Sequence, residues 1–188
     1  MLGYRFGHFL DRPLLSLARC LNVNPNLITV TGFLVTSAAA LVLSRDLFWG
    51  GVLILLGGCF DILDGVVARA NNRSTAFGAF LDSVLDRYAD SFLFLGLAWY
   101  FYQNSSISGV CISLMSMVGA LLVSYTRARA EGLGRDCTVG IMERPERIVL
   151  LAFGAMSGWI LPVLWLMAVL THVTVMQRIW HVRKLLKT

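Results

Sequence analysis

Charge is scarce in this chain. Only 14% of its 188 residues are Asp, Glu, Lys or Arg, where a soluble globular domain carries about 25%. That shortage leaves too little polarity to cover a water-facing surface, and it excludes an ordinary soluble domain. Cysteine is sparse as well. Cys20, Cys59, Cys111 and Cys137 show no paired spacing, which argues against a disulfide framework or a zinc site. Cys59 and Cys111 fall within apolar runs and read as small buried side chains. His8, His172 and His181 have no partners at metal-ligand spacing, so imidazole metal chemistry is not indicated. The N-terminal stretch LGYRFGHFLDRPLLSLARCLN lacks an uninterrupted apolar core, because Asp11, Arg12 and Pro13 break it. It does not read as a cleavable signal peptide. No linker is long enough to divide the chain into domains.

What the chain has in abundance is apolar sequence, 57% of all residues. Long runs of this kind point to lipid in place of water. The candidate spans are Leu27–Leu43, Leu47–Ala70, Phe77–Tyr102, Ile107–Thr126, Ile148–Trp159 and Leu161–Gln177. The expected fold is all-α and integral to the membrane, a single domain over residues 1–188. Residues 1–22 form an amphipathic helix lying in the cytoplasmic interface, with Phe6, Phe9, Leu14 and Leu17 toward lipid, and residues 26–183 form a six-helix transmembrane bundle. Trp49, Trp159, Trp165 and Trp180 fit interfacial anchors near span ends.

The few charges are unevenly distributed. Arg5, Arg12 and Arg19 precede the first span, and Arg69 and Arg73 separate the second and third. Arg127, Arg129, Arg135, Arg144 and Arg147 surround the loop after the fourth span, and Arg178, Arg183, Lys184 and Lys187 close the chain. The intervening loops hold only Arg45 beside Asp46, then QNSSIS and SGWILP without charge. By the positive-inside rule, both termini and the two charged loops are cytoplasmic, in a multi-pass protein of the cell membrane. The net charge of +5 therefore sits against lipid, which disfavours nucleic acid and favours an anionic head group or a phosphorylated substrate.

Against this background the segment from Asp61 to Asp86 is an energetic problem. Asp61, Asp64, Asp82 and Asp86 lie in otherwise apolar runs, and one ionised carboxylate within a bilayer costs about 2.5–3.5 kcal/mol. Four close together also repel one another, so a positive group must be held among them. The first pair is spaced by three and the second by four, which puts each pair on one helix face. Two facing pairs form an all-oxygen nest suited to Mg²⁺ or Mn²⁺. Gly65, Ala68 and Gly78 share that face and leave it without bulk, so a flat ligand or another helix can approach closely. Arg69, near the cytoplasmic end, can pair with phosphate or with the acids. A cation or proton pathway also uses membrane carboxylates. It fits less well here, because only Asp90 continues the row across the bilayer.

The full pattern is D-x2-D-G-x2-A-R-x8-G-x3-D-x3-D, eight fixed positions over 26 residues. It resembles the signature of the CDP-alcohol phosphatidyltransferases at every position, and the resemblance extends over most of the chain. The family likeness implies six transmembrane helices behind a cytoplasmic amphipathic helix, commonly a homodimer, and transfer of a phosphatidyl group from a CDP-lipid to an alcohol with release of CMP. It implies two divalent ions, with Asp61, Asp64 and Asp82 as ligands and Asp86 at the second. Asp86 also resembles the general base for the acceptor hydroxyl. Gly65, Ala68, Arg69 and Gly78 resemble the cytidine-diphosphate cradle, and Pro25, Asn26 and Thr29 resemble the start of the family's first helix, which borders the nucleotide.

The loop after the fourth span reads SYTRARAEGLGRDCTVGIMERPERIVLL. Arg127, Arg144 and Arg147 fall where the carboxylates end, and Glu143 and Glu146 are available to orient them. Converging arginines make a site for a phosphate monoester. RARAEGLG followed by ERPER is similar to the subgroup that uses inositol phosphate as acceptor, with bacterial phosphatidyl and archaeal ether-lipid members. That likeness implies that Arg127 and Arg147 grip the acceptor phosphate, with Arg178 or Arg183 from the last helix. An enzyme of the phosphatidylglycerophosphate type, using glycerol 3-phosphate, is the alternative.

Overall fold

The computed structural model describes residues 23–71 and 73–186. The interfacial helix expected over residues 1–22 lies outside the described residues. All regular elements among those described are helices: α1 (Pro25–Leu43), α2 (Leu47–Ala70), α3 (Ala76–Gln103), α4 (Ile107–Glu131), α5 (Arg144–Ser157) and α6 (Ile160–Leu185). The turns between them are made by caps that the sequence carries locally. Asn24 accepts from the Asn26 N–H ahead of Pro25, Asp46 caps α2 at Trp49 N, Thr75 caps α3 at Gly78 N, and Ser106 caps α4 at Gly109 N. Each satisfies one of the orphan N–H groups of a helix start. Helix α5 ends at Gly158, whose φ of +76° is a left-handed cap that favours glycine.

Helix α1 packs on α2 and α3, α3 on α4, α4 on α6, α6 on α5, and α5 back on α2. The six helices thus close a ring in the order α1, α2, α5, α6, α4, α3. Its apolar centre is built from Ala39, Leu43, Leu93, Leu97, Leu151, Ala152, Leu164 and Met167. Small residues set the closest approaches. A Cβ on Gly96 would sit 2.3 Å from the Ala40 carbonyl oxygen, and one on Gly57 would sit 2.2 Å from Thr36 Oγ1. The outside is apolar too, with Leu41, Ile107, Val149, Phe153 and Met176 exposed, as expected where lipid replaces water.

Among the described residues four helices, α1, α2, α4 and α6, are long and apolar enough to cross a membrane. Helix α3 has the length, 28 residues, but its apolar run is interrupted by Asp82, Asp86, Arg87 and Asp90. Helix α5 has 14 residues, about 21 Å at 1.5 Å per residue, against a hydrocarbon core of about 30 Å. It begins at Arg144, earlier than the expected Ile148, because Pro145 suits a first helical turn. Helix α6 continues past the expected Gln177 to Leu185, carrying Arg178 and Arg183 on the same helix. Cys59 and Cys111 are exposed, not buried as the sequence suggests. They lie on outward faces, where an apolar side chain meets no penalty in lipid.

Candidate active site

The carboxylates converge where the last turns of α2 meet the first half of α3. Asp61 and Asp64 are three residues apart on α2, and Asp82, Asp86 and Asp90 repeat every four residues on α3. The first turn of α5 delivers the cation that faces them. Arg144 Nη1 lies 2.7 Å from Asp61 Oδ2 and 2.9 Å from Asp86 Oδ1, bridging the two acidic helices, and its Nε lies 3.5 Å from Asp90. Arg147, one turn further along α5, places Nη2 2.7 Å from Asp90 Oδ2. Both Asp90 and Arg147 are buried, and Arg147 Nε has no hydrogen-bond partner.

This arrangement differs from the nest that the spacing implies. Among the described residues no three Asp, Glu, His or Cys side chains converge closely enough to enclose an ion, because Arg144 stands between the pairs. The donors are nevertheless suited to a hard divalent cation. They are all carboxylate oxygens, Asp61 and Asp86 already share one cation, and Asp64 keeps one buried oxygen, Oδ2, without a hydrogen-bond partner. A buried acceptor left unpaired costs about 1–3 kcal/mol, and a metal ion would satisfy it. Gly32 on α1 contributes to the room available, since a Cβ there would lie 3.3 Å from Asp61 Oδ1.

The residues expected around the nucleotide form a second group beside the first. The starts of α1 and α3 lie against each other, and a Cβ on Gly78 would come within 2.9 Å of Asn26 Oδ1. Two helix N-termini side by side, with their free N–H groups and positive dipole ends, suit a diphosphate. Thr29 is buried one turn beyond Pro25, with its hydroxyl on the Pro25 carbonyl oxygen at 3.1 Å. Gly65 lets the Arg69 guanidinium fold back along α2, where a Cβ would meet Nη1 at 3.3 Å. Ala68 is half-buried on the same stretch.

On the other side of Arg144 opens a cavity of about 1900 Å³, lined by Asp86, Asp90, Arg127, Glu143, Arg144, Arg147 and Arg178 among others. Arg127 is held by Glu131 at 2.9 Å and lies 4.0 Å from Glu143. Arg178 is almost fully buried. It donates from Nε to the Val139 carbonyl at 2.9 Å and from Nη1 to the Val123 carbonyl, with Nη2 3.7 Å from Glu143. One turn earlier on α6, Thr174 Oγ1 accepts from the backbone N–H groups of Ile141 and Met142 at 3.3 and 3.2 Å. Thr174 and Arg178 together fix the loop that carries Glu143. Of the five arginines expected at the acceptor, four line this cavity. Arg183 is exposed towards the end of α6 and is not among its lining residues. Asp90 joins the site through Arg144 and Arg147, and the four-residue step from Asp82 through Asp86 is the sequence signal that leads to it.

A sequence model of the CDP-alcohol phosphatidyltransferase family matches residues 22–181. The chain is 40% identical over 167 residues to the archaetidylinositol phosphate synthase of Methanothermobacter thermautotrophicus, covering 85% of this chain and 83% of that protein. It is similar in structure to the Mycobacterium tuberculosis phosphatidylinositol phosphate synthase PgsA1. Against the crystal structure with CDP-DAG bound the TM-score is 0.83 at 32% identity, covering 91% of this chain and 94% of the other. Against the structure in complex with manganese and citrate it is 0.81 at 31% identity, covering 92% and 88%.

Proposed function

The chain belongs to the CDP-alcohol phosphatidyltransferase family, and from that premise we propose that it transfers the phosphatidyl-type group of a CDP-lipid to inositol phosphate, releasing CMP. The observation that carries the reading is the position of Asp86. It belongs to the carboxylate cluster and at the same time lines the cavity that Arg127, Arg147 and Arg178 make basic. A base, a diphosphate site and a phosphate grip are thereby adjacent.

The division of labour follows from the chemistry of each group. Asp61, Asp64, Asp82 and Asp86 hold two divalent ions, Mg²⁺ or Mn²⁺, a reading supported by the manganese complex of PgsA1. Bound there, such ions neutralise the diphosphate and stabilise the charge on departing CMP. Asn26, Thr29 and Pro25 at the start of α1, with Gly65, Ala68, Arg69 and Gly78, cradle the cytidine diphosphate. The acceptor phosphate lies against Arg127, Arg147 and Arg178, with Arg144 at the border between the two substrates. Asp86 takes the proton of the acceptor hydroxyl. The new bond forms between that oxygen and the lipid-side phosphorus, and the bond from phosphorus to the CMP oxygen breaks. Inositol phosphate is favoured over glycerol 3-phosphate by likeness to an archaetidylinositol phosphate synthase and a phosphatidylinositol phosphate synthase.

The protein is a multi-pass membrane protein, with four helices of spanning length and composition. We further read all six helices as one bundle domain crossing the membrane, preceded by an interfacial helix over residues 1–22. The active site and both termini face the cytoplasm of a plasma-membrane homodimer. The basic cluster at the mouth of the cavity supports that orientation. Purified protein incubated with CDP-diacylglycerol, Mg²⁺ and either inositol 1-phosphate or glycerol 3-phosphate tests the acceptor. CMP release with the inositol compound only is expected; equal or greater release with glycerol 3-phosphate would reassign it. Cation flux in vesicles without CMP release would instead favour a transporter.

A further inference from the structure

Arg144 is in an unusual position for a residue expected to hold an acceptor phosphate. One nitrogen, Nη1, bonds carboxylates from two different helices at 2.7 and 2.9 Å. That is where a bridging cation between α2 and α3 belongs. Building on the metal-site reading above, we propose that Arg144 is the built-in counter-ion of the carboxylate site, and that a divalent ion occupies the Asp61/Asp86 side only as the guanidinium moves out. The two cations compete for the same oxygens: Nη1 fills the space between Asp61 Oδ2 and Asp86 Oδ1, and a divalent ion placed beside it there would meet a like charge at close range.

The rest of the surroundings makes the exchange directional. Asp64 keeps a buried oxygen without a partner, so the site is already neutralised on one side and not on the other. The first ion therefore meets the Asp64 side without displacing anything, and the second must displace Arg144. The side chain has somewhere to go. It lines the wall of the acceptor cavity, and Asp90 lies 3.5 Å from its Nε on that side. Arg147 already holds the other Asp90 oxygen, so a displaced Arg144 would stand beside Arg147, as a second donor to an acceptor phosphate. Metal binding and acceptor binding then favour the same position of one guanidinium. Coupling of this kind is reciprocal by thermodynamic necessity: phosphate in the cavity tightens the metal, and metal tightens the phosphate. In this role Arg144 is a positioning residue, acting through the metal site.

The test is Mn²⁺ binding to purified protein without CDP-lipid, followed by the electron paramagnetic resonance signal of free Mn²⁺. Arg144→Gln is expected to tighten Mn²⁺ by about tenfold or more, the scale of a lost charge-assisted competitor. Arg144→Lys, which keeps the charge but cannot bridge in the same way, should fall between. Inositol 1-phosphate should tighten Mn²⁺ in the unaltered protein and leave Arg144→Gln unchanged. In chelator, Arg144→Gln should melt below the unaltered protein and recover with Mn²⁺. Equal or weaker Mn²⁺ binding in Arg144→Lys and in folded Arg144→Gln would overturn the proposal while leaving the metal site intact. Absence of Mn²⁺ binding in all three proteins would overturn the metal reading itself.

Discussion

Replacing Arg147 by Ala separates the two halves of the site. Arg147 is 3% exposed and its guanidinium lies 2.7 Å from Asp90, itself 7% exposed. Removing one partner of a buried ion pair costs about 3–5 kcal/mol, because the other charge is left uncompensated. Here the loss is smaller than that ceiling, since Arg144 remains 3.5 Å from Asp90 and the cavity admits water to the same carboxylate. A loss of about 2–3 kcal/mol of stability is the expected outcome, read as a lower melting temperature in detergent. The effect on function is distinct. A charge-assisted hydrogen bond to phosphate is worth about 1.5–3 kcal/mol, so the acceptor KM should rise by roughly 10- to 150-fold.

Initial rates of CMP release, measured against inositol phosphate at saturating CDP-diacylglycerol and then in reverse, resolve the two constants. The KM for the CDP-lipid should stay within a few-fold, because Asn26, Gly65 and Gly78, proposed above to cradle the nucleotide, do not line the cavity that holds Arg147. Adding Asp90→Asn to Arg147→Ala should cost less stability than the sum of the single changes, as residues in direct contact couple. An equal rise in both KM values, or an unchanged acceptor KM in a folded protein, would refute the assignment of the cavity to the acceptor.

Other positions make independent predictions. Asp82→Asn should reduce CMP release to background while helix content and melting temperature stay close to normal, which circular dichroism and an endpoint CMP assay would check. Gly96→Ala should destabilise more than Gly57→Ala in the same thermal scan. Its Cβ would meet the Ala40 backbone at 2.3 Å, whereas Thr36 Oγ1 at 2.2 Å from Gly57 can rotate away, and overpacking costs about 1–3 kcal/mol. Thr174→Val removes the acceptor for two backbone N–H groups and should speed hydrogen exchange at Ile141 and Met142, with a raised acceptor KM.

The sequence discloses much of this because membrane chemistry writes in strong signals. Long apolar runs locate α1 and α2 to within two residues and the starts of α4 and α6 to within one, and carboxylates in such runs stand out by cost alone. The four-residue period along α3 shows which acids share a face. What the sequence conceals is where a long side chain goes. Arg144 sits in a charge run that reads as a phosphate grip, yet its guanidinium crosses to Asp61, 83 residues earlier in the chain. No local pattern encodes that reach. Arg178 is similar: it looks like a phosphate ligand in sequence and spends two of its donors on the carbonyl groups of Val123 and Val139. The limits of α5 and α6 shifted for a simpler reason, because a helix can start on Arg-Pro and run on through an amphipathic tail into the interface.

One site joining a CDP-lipid to inositol phosphate must yield both a new lipid and CMP. This is tested most directly by mass spectrometry of the lipid formed from CDP-diacylglycerol and isotopically labelled inositol 1-phosphate, with CMP quantified in the same reaction. One labelled phosphatidylinositol phosphate is expected for each CMP, and neither product from Asp82→Asn. CMP released without a labelled lipid would mean hydrolysis or another acceptor, and would contradict that coupling.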